Sequence, residues 1–317
     1  MSNKLYWLKT YPLHTFNAYS YYLKCLYKET VYRVSVDGGF SCPHRGKDRN
    51  KPGCTYCDER GSRAYYLGEE VDLKKQIKGA ISFLKKRYKA ESFILYFQAF
   101  SGTYAAPYKL KQIYDDALSY APFKEMIVST RPDCINHEIA ILLHSYKEAG
   151  LNVWVELGLQ SASDTTLKRI NRGHTVEDFI KAYNILKDKG ISITIHIIFG
   201  LPGEGDRDIL DTVRFVADIA PDGLKIHNLN IQKNTIIYNE YLKGELSVLS
   251  SQHHLMNVIN ALERIPAETV IMRLTCDTPK DNLIAPRNFW NKSRFYNELK
   301  EEMRRRDTWQ GKLYKKA

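Results

Sequence analysis

Six apolar runs recur along the chain: VYRVSV at 31–36, SFILYF at 92–97, EMIVST at 125–130, VWVELGL at 153–159, ISITIHIIF at 191–199 and GLKIHNLNI at 223–231. Each is rich in β-branched and aromatic residues and nearly continuous, as parallel strands covered by helices are. From the second run on, the starts at 92, 125, 153, 191 and 223 lie 28 to 38 residues apart, the size of one strand-helix unit. The segments between carry the helical period. Leu73, Ile77, Ala80, Ile81, Leu84 and Tyr88 share one face, and Ile139, Leu142, Leu143 and Tyr146 another, ahead of a C-capping Gly150. Further helices are predicted near 107–120, 176–189, 206–219 and 252–264. Such a succession is α/β and fits either an open doubly wound sheet or a partial barrel, both of which present functional groups at C-terminal strand ends. A further β-prone run, TVIMRLTC at 269–276, and a charged helix at about 291–305 belong to a C-terminal extension.

Composition narrows the setting. With 44% hydrophobic and 26% charged residues in 317, the chain reads as a folded, soluble protein. No run approaches the roughly 18 apolar residues that span a bilayer, and MSNKLYWLKTYPLHTFN lacks a signal-peptide core, so the expected compartment is the cytoplasm, with no membrane partner. Charge is uneven. Residues 1–63 hold 11 Lys and Arg against 5 acids, residues 291–317 hold 9 against 4, and the middle holds 27 of each, so the whole excess of +11 sits at the two ends. The first 33 residues interleave Tyr6, Trp7, Tyr11, Phe16, Tyr19, Tyr21, Tyr22, Tyr27 and Tyr32 with Lys4, Lys9, Lys24, Lys28 and Arg33. Cations beside aromatic faces suit an unpaired nucleic acid; a solvated basic surface with packed aromatics is the competing reading.

Directly after the first run, SVDGGFSCPHRGKDRNKPGCTYCDERGS sets Cys42, Cys54 and Cys57 in a C-x11-C-x2-C pattern. Six cysteines with three of them in sixteen residues, and no export signal, favour metal binding over disulfides. A zinc site would use His44 as fourth ligand, although the Cys42–His44 spacing is short for one ion and no second knuckle follows. An iron-sulfur cluster is the alternative, and three thiolates would leave one iron open to a substrate or cofactor. Other strands carry polar residues near their ends: Gln98, Ser129 with Arg131, Glu156 with Gln160, His196, and Lys225 with His227. Glu156 and Gln160 share parity, as do Lys225 and His227, so each pair faces one side. Any one of these fits a satisfied core residue. As a set, polar groups converging from apolar strands point to a ligand site.

These residues resemble a known group. Three cysteines in a loop after the first strand, the last two as C-x-aromatic-C, resemble the radical S-adenosylmethionine (radical SAM) superfamily. DGGFSCPHRG, GCTYC, YFQAFSGTYA, STRPDCI, VELGLQS, INRGHT, IIFGLPGE, KIHNLNIQKNT, APRNFWNKS and RRDTWQGK, in that order from about Tyr19 to Leu313, resemble its YhcC/YtqA-type subfamily. Its cousins include the elongator catalytic subunit and oxygen-independent coproporphyrinogen oxidase.

The resemblance implies a partial (β/α)6 TIM-type barrel at 31–235, flanked by a basic aromatic extension at 1–30 and a C-terminal extension at 236–317. It implies a [4Fe-4S] cluster on Cys42, Cys54 and Cys57, with SAM chelating the fourth iron and yielding a 5′-deoxyadenosyl radical on reduction. Tyr56 is then expected beside the adenine, Ser101-Gly102-Thr103 at the SAM amino group, Gln160 and Arg172 at ribose and carboxylate, and Ile198 with Gly200 at the adenine. His196 stands where the coproporphyrinogen enzyme has an acid, and Arg131 near a place often held by a carboxylate.

The implied substrate is a modified wobble uridine of tRNA, with an electron donor such as flavodoxin or ferredoxin. A small-molecule or protein substrate in the same barrel is a second reading, and a zinc-stabilised RNA-binding module without catalysis a third. Cys134 and Cys276 receive no role.

Overall fold

Seven strands form one parallel sheet in the order in which the chain makes them. They are β1 (Val31–Val36), β2 (Ser92–Phe97), β3 (Phe123–Thr130), β4 (Asn152–Gln160), β5 (Ser192–Phe199), β6 (Gly223–Asn228) and, after a two-residue β7 (Ile231–Gln232), β8 (Val270–Arg273). In this computed structural model, residues 14–46, 49 and 51–315 are described. The connections are α2 (Leu73–Tyr88), α3 (Pro107–Ser119), α4 (His137–Glu148), α5 (Asp164–Arg169) with α6 (Val176–Asp188), and α7 (Asp206–Ile219); α1 (Tyr19–Tyr27) precedes the sheet. Between β7 and β8 lie α8 (Ile236–Leu242) and α9 (Ser251–Arg264), and the chain continues through β9 (Leu283–Ala285), paired antiparallel with β7, to α10 (Lys292–Arg305).

Strand order decides between the two architectures. A doubly wound sheet needs a reversal of order at its switch point, and here there is none. Right-handed crossovers then put every connecting helix on the same face, the sheet curls away from them, and β1 and β8 remain its two edges, so the protein is a partial TIM-type barrel. The six expected strands are joined by a seventh, because residues 270–273 of the C-terminal extension pair with β6.

Two cores follow from the alternation of strand side chains. Val34, Leu95, Val128, Val155, Ile195 and Ile226 point outward into the large core under the helices. Inward, Ile94, Ile127, Trp154 and Val270 meet Tyr19 and Leu23 of α1, which plugs one end of the barrel. Three of the aromatics read from the sequence as stacking faces for nucleic acid, Tyr19, Tyr22 and Tyr27, pack here. Tyr22 packs edge-on to Trp154 with ring centroids 6.1 Å apart, Tyr27 donates to Glu125 Oε1 at 3.0 Å, and Tyr19 donates to the same carboxylate. Tyr32 stacks on Tyr88 instead of facing solvent alone. Tyr6, Trp7, Tyr11, Lys4 and Lys9 lie outside the described residues.

The two ends of the chain are tied together at the edge of the sheet. Ile271 N donates to Asn17 O at 2.7 Å, and buried Gln310 accepts from Asn17 N at 2.9 Å while donating to Pro266 O and Thr269 O. The RRDTWQGK stretch therefore serves the frame: its glutamine fastens the N-terminal segment to β8.

Candidate active site

Where the strands end, a cavity of about 410 Å³ opens, lined from every strand of the sheet except β1, and by the cysteine loop that follows β1. The loop is held by its own arginines. Arg45 is buried and donates to the carbonyls of Arg49, Asp58 and Glu59 at 2.7, 2.6 and 3.0 Å, so it ties the segment after Cys42 to the segment after Cys57. Arg49 pairs with Asp37 at 2.8 Å and lies 4.0 Å from the centre of the Phe100 ring. The C-x2-C end is fixed from other elements: Thr55 N donates to Ile170 O at 3.0 Å, and Asn171 Nδ2 to Gly53 O at 3.1 Å.

The cavity brings together Cys42, Cys54, Tyr56, Cys57, Gln160, Arg172 and Ile198. Cys54 is the most enclosed of the three cysteines. Burial opposes its ionisation, but Arg172 Nη1 at 3.5 Å, His44 and Arg131 Nη1 at 3.7 Å outweigh that and bring its thiol down to about 6. Burial, then the neighbouring Cys54 charge, pushes Cys57 up to about 12. Among the described residues no three His, Cys, Asp or Glu side chains converge as ligands of one ion. Thiolates sharing one zinc would each lie about 2.3 Å from it, whereas a cubane offers a separate iron to each thiolate. The donor set, all sulfur and with one thiol biased to thiolate by two guanidinium groups, fits a cluster. His44 stays at the cysteines: its ring bonds the Cys54 thiol, and its Nε2 lies 3.0 Å from Arg172 O.

Arg172 is placed by a glycine. It donates to Gly158 O and to His174 Nε2, both at 3.0 Å. A Cβ on Gly158 would come within 2.5 Å of Arg172 Nη2 and 2.6 Å of Gln160 Nε2. A bulge between Gly158 and Gln160 turns the end of β4, and Gln160 sits at φ 74°, a conformation costly for a residue with a side chain. Its amide oxygen is buried, borders the cavity and has no partner among the described residues. That orphan acceptor marks a place for a hydrogen-bond donor.

Ser101, Gly102, Thr103 and Gly200 are not on the cavity wall. Ser101 Oγ lies 2.8 Å from Thr130 Oγ1, Thr103 donates to Cys134 O at 2.8 Å, and Gly102 N donates to Ser129 O at 2.8 Å, so this turn braces the end of β3 from behind. Gly200 follows β5 immediately, with Leu249 at its back. Arg131 reaches the cavity with its own carboxylate partner, Asp133, at 2.8 Å.

The floor is polar. Glu156 Oε2 accepts from Lys225 Nζ and Tyr96 OH, both at 2.6 Å, and from Ser129 Oγ at 3.0 Å, with every side chain contributed by a different strand. Burial raises the Glu156 carboxyl, but Lys225 and Arg33 reverse this and hold it well below the usual carboxylate range. His196 and His227 meet edge to face with ring centroids 4.3 Å apart. Burial first, then neighbouring charges including Lys225, keeps both far below the usual histidine value, so they are neutral, and Nε2 of each is unpartnered among the described residues. The sequence reading missed Gly158, and it missed Arg273, Cys276 and Lys292, which the C-terminal extension adds to the wall.

Fold and cavity define an α/β-barrel enzyme that works at the C-terminal ends of its strands. The chain belongs to the radical SAM superfamily: the model of that superfamily matches residues 41–216, and the model of its C-terminal domain matches residues 221–305. It is 34% identical to the protein YtqA of Bacillus subtilis over 96% of this chain and 93% of that one. A tRNA uridine(34) acetyltransferase of Methanocaldococcus infernus is 32% identical over 49% of this chain and 29% of its own length. In fold, the protein matches the solved structure of Elp3 from the same archaeon, with its N-terminus deleted, at a TM-score of 0.69 over 88% of this chain and 64% of that one, at 20% identity. Membership implies SAM and a [4Fe-4S] cluster as cofactors, and it sets aside the non-catalytic zinc module. All six cysteines are free, and among the described residues no helix is long and apolar enough to cross a membrane.

Removing one partner of the buried pair gives a direct stability test. Lys225→Met, which leaves the buried Glu156 carboxylate without its ion-pair partner, is expected to cost about 3–5 kcal/mol in urea unfolding, and Lys225→Met with Glu156→Leu to recover most of it. Because the folded carboxyl is depressed, the pair's contribution is present above the ordinary carboxylate pKa and fades as pH falls below it. A double variant as unstable as the single one would contradict this assignment.

Proposed function

We propose that Cys42, Cys54 and Cys57 hold a [4Fe-4S] cluster, that Tyr56, Gln160, Arg172 and Ile198 hold SAM beside it, and that the enzyme acts on a modified wobble uridine of tRNA. Ser101-Gly102-Thr103 and Gly200 take supporting places: they shape the wall behind the SAM site. The observation that carries the reading is the meeting of all three cysteines with Gln160 and Arg172 at one cavity, where a buried amide oxygen lacks a donor. SAM offers hydroxyl and ammonium donors to such an acceptor and a carboxylate to a guanidinium. When bound, the cluster supplies the electron that cleaves SAM, and with it the radical that takes hydrogen from the substrate. An external donor such as flavodoxin or ferredoxin delivers that electron. The chain's own part is to keep Cys54 as thiolate through Arg172 and Arg131, to seat SAM, and to keep the floor neutral in net charge through Glu156 and Lys225.

Two observations support tRNA: the match to a protein named as a tRNA uridine(34) acetyltransferase, and the basic excess of +11 at the chain ends. That relative is covered over only 29% of its length, so its acetyl transfer is not carried over. A small-molecule or protein substrate is the second reading. It is favoured by the packing of Tyr19, Tyr22 and Tyr27 inside the barrel and by the commitment of Arg45 and Arg49 to the cysteine loop, which leave fewer groups for RNA.

Gly158→Ala is expected to weaken SAM binding by roughly tenfold or more while leaving the cluster's visible spectrum intact, because the added methyl displaces Arg172 and Gln160. Unchanged SAM affinity would remove these two residues from the SAM site. For the substrate, nucleoside mass spectrometry of tRNA from cells with and without the gene is expected to differ in one wobble-uridine derivative. An identical profile, with deoxyadenosine formation that responds to a metabolite extract and not to tRNA, would give the second reading the lead.

A further inference from the structure

The wall opposite the cysteines carries more positive charge than its carboxylates balance. Lys225 of β6 and Arg273 of β8 are register partners on neighbouring strands. Both line the cavity. Two like charges side by side on a sheet repel. Glu156 answers Lys225 at 2.6 Å, but neither Arg273 nor Lys292 forms an ion pair with any described residue. Asp277, the nearby acid on the wall, is exposed and acts on Lys292 through its charge without forming an ion pair with it, while Arg273 reaches the Cys276 thiol and no carboxylate.

Arg273 is aimed there by a break in register. Leu224 pairs with Ile271, but Lys225 pairs with Arg273, so one extra residue is accommodated between them. Met272 already points inward into the apolar plug. In a regular strand the next residue would face the helices, and the irregularity lets Arg273 also face the cavity. The segment that follows is fixed to the end of β6. Asn228 Oδ1 accepts from Thr275 Oγ1 at 3.0 Å and from Cys276 N at 2.9 Å, and Asn230 Nδ2 reaches Cys276 O at 3.1 Å and Thr278 Oγ1 at 3.0 Å. Lys292 is the first residue of the fourteen-residue α10, so the positive end of that helix lies at the same margin. The unpartnered Nε2 of neutral His227 borders the same space. A rigid frame that holds uncompensated cations against an open cavity calls for an anion.

We propose that this end of the cavity is a phosphate subsite, in which Arg273 and Lys292 receive the phosphate group of a substrate nucleotide. Arg273 supplies the planar fork that matches phosphate oxygens, and Lys292 closes the mouth as a mobile point charge. The inference rests on the reading above in one respect: cluster and SAM take the cysteine side of the cavity, which leaves this side to the substrate.

The test is calorimetric titration of the cluster-reconstituted protein, with SAM present, using uridine 5′-monophosphate, uridine and inorganic phosphate. The monophosphate is expected to bind roughly tenfold or more tighter than uridine, with inorganic phosphate competing. Arg273→Gln should abolish that preference. Lys292→Gln, at an exposed position where the fold is not at risk, should reduce it. Equal affinity for nucleotide and nucleoside, a preference unchanged in both variants, or no binding of the monophosphate at millimolar concentration would overturn the subsite. Binding of a carboxylate such as citrate in place of the monophosphate would overturn it too, and give this end to a carboxylate substrate. The outcome is separable from the tRNA reading: a phosphate preference that depends on Arg273 stands even where the tRNA nucleoside profile does not change, and an altered profile stands even where nucleotide and nucleoside bind alike.

Discussion

Glu156 and Lys225 meet at 2.6 Å from β4 and β6, with β5 between them, in the interior of an open barrel. Two charges taken out of water are tolerated only when paired and hydrogen-bonded, and here Tyr96 and Ser129 complete the set from β2 and β3. This cluster divides the interior. Below it, Tyr19 and Leu23 of α1 pack with Ile94, Ile127 and Trp154 of the strands as an apolar plug. Above it, the same inward positions become the floor of a cavity whose walls are cysteines, guanidinium groups and neutral imidazoles. An interior packed with apolar side chains throughout would have made a core and left no site.

The cysteine loop obeys a related constraint. A long irregular segment must satisfy its carbonyls, and Arg45 does this for three of them while Arg49 and Arg63 both reach the buried carboxylate of Asp37. The segments after Cys42 and after Cys57 are thereby braced on one buried guanidinium. Part of the basic excess at the N-terminal end of the chain is accounted for by this bracing, and Tyr19, Tyr22 and Tyr27 of the aromatic excess by the plug.

Much of this was legible in the sequence. Continuous apolar runs at strand-helix spacing announced the parallel sheet, and parity within VWVELGL and GLKIHNLNI singled out Glu156, Gln160, Lys225 and His227, which do line one cavity. The choice between doubly wound sheet and barrel was not legible from periodicity, since strand order is a property of long-range pairing. The partners of the Ser101 and Thr103 hydroxyls, Thr130 and Cys134 O, lie some thirty residues away and could not be read from the local sequence. Arg273 was out of reach for a different reason. Strict alternation assigns it to the face opposite Met272, and only the irregular pairing of β6 with β8 turns both residues inward.

The central claim is that three thiolates at the end of β1 serve a cluster and not a single ion. Iron and acid-labile sulfide analysis of the anaerobically reconstituted protein tests it most directly. The account predicts about four irons and four sulfides per chain, retained after gel filtration. Stoichiometric zinc without sulfide would contradict it.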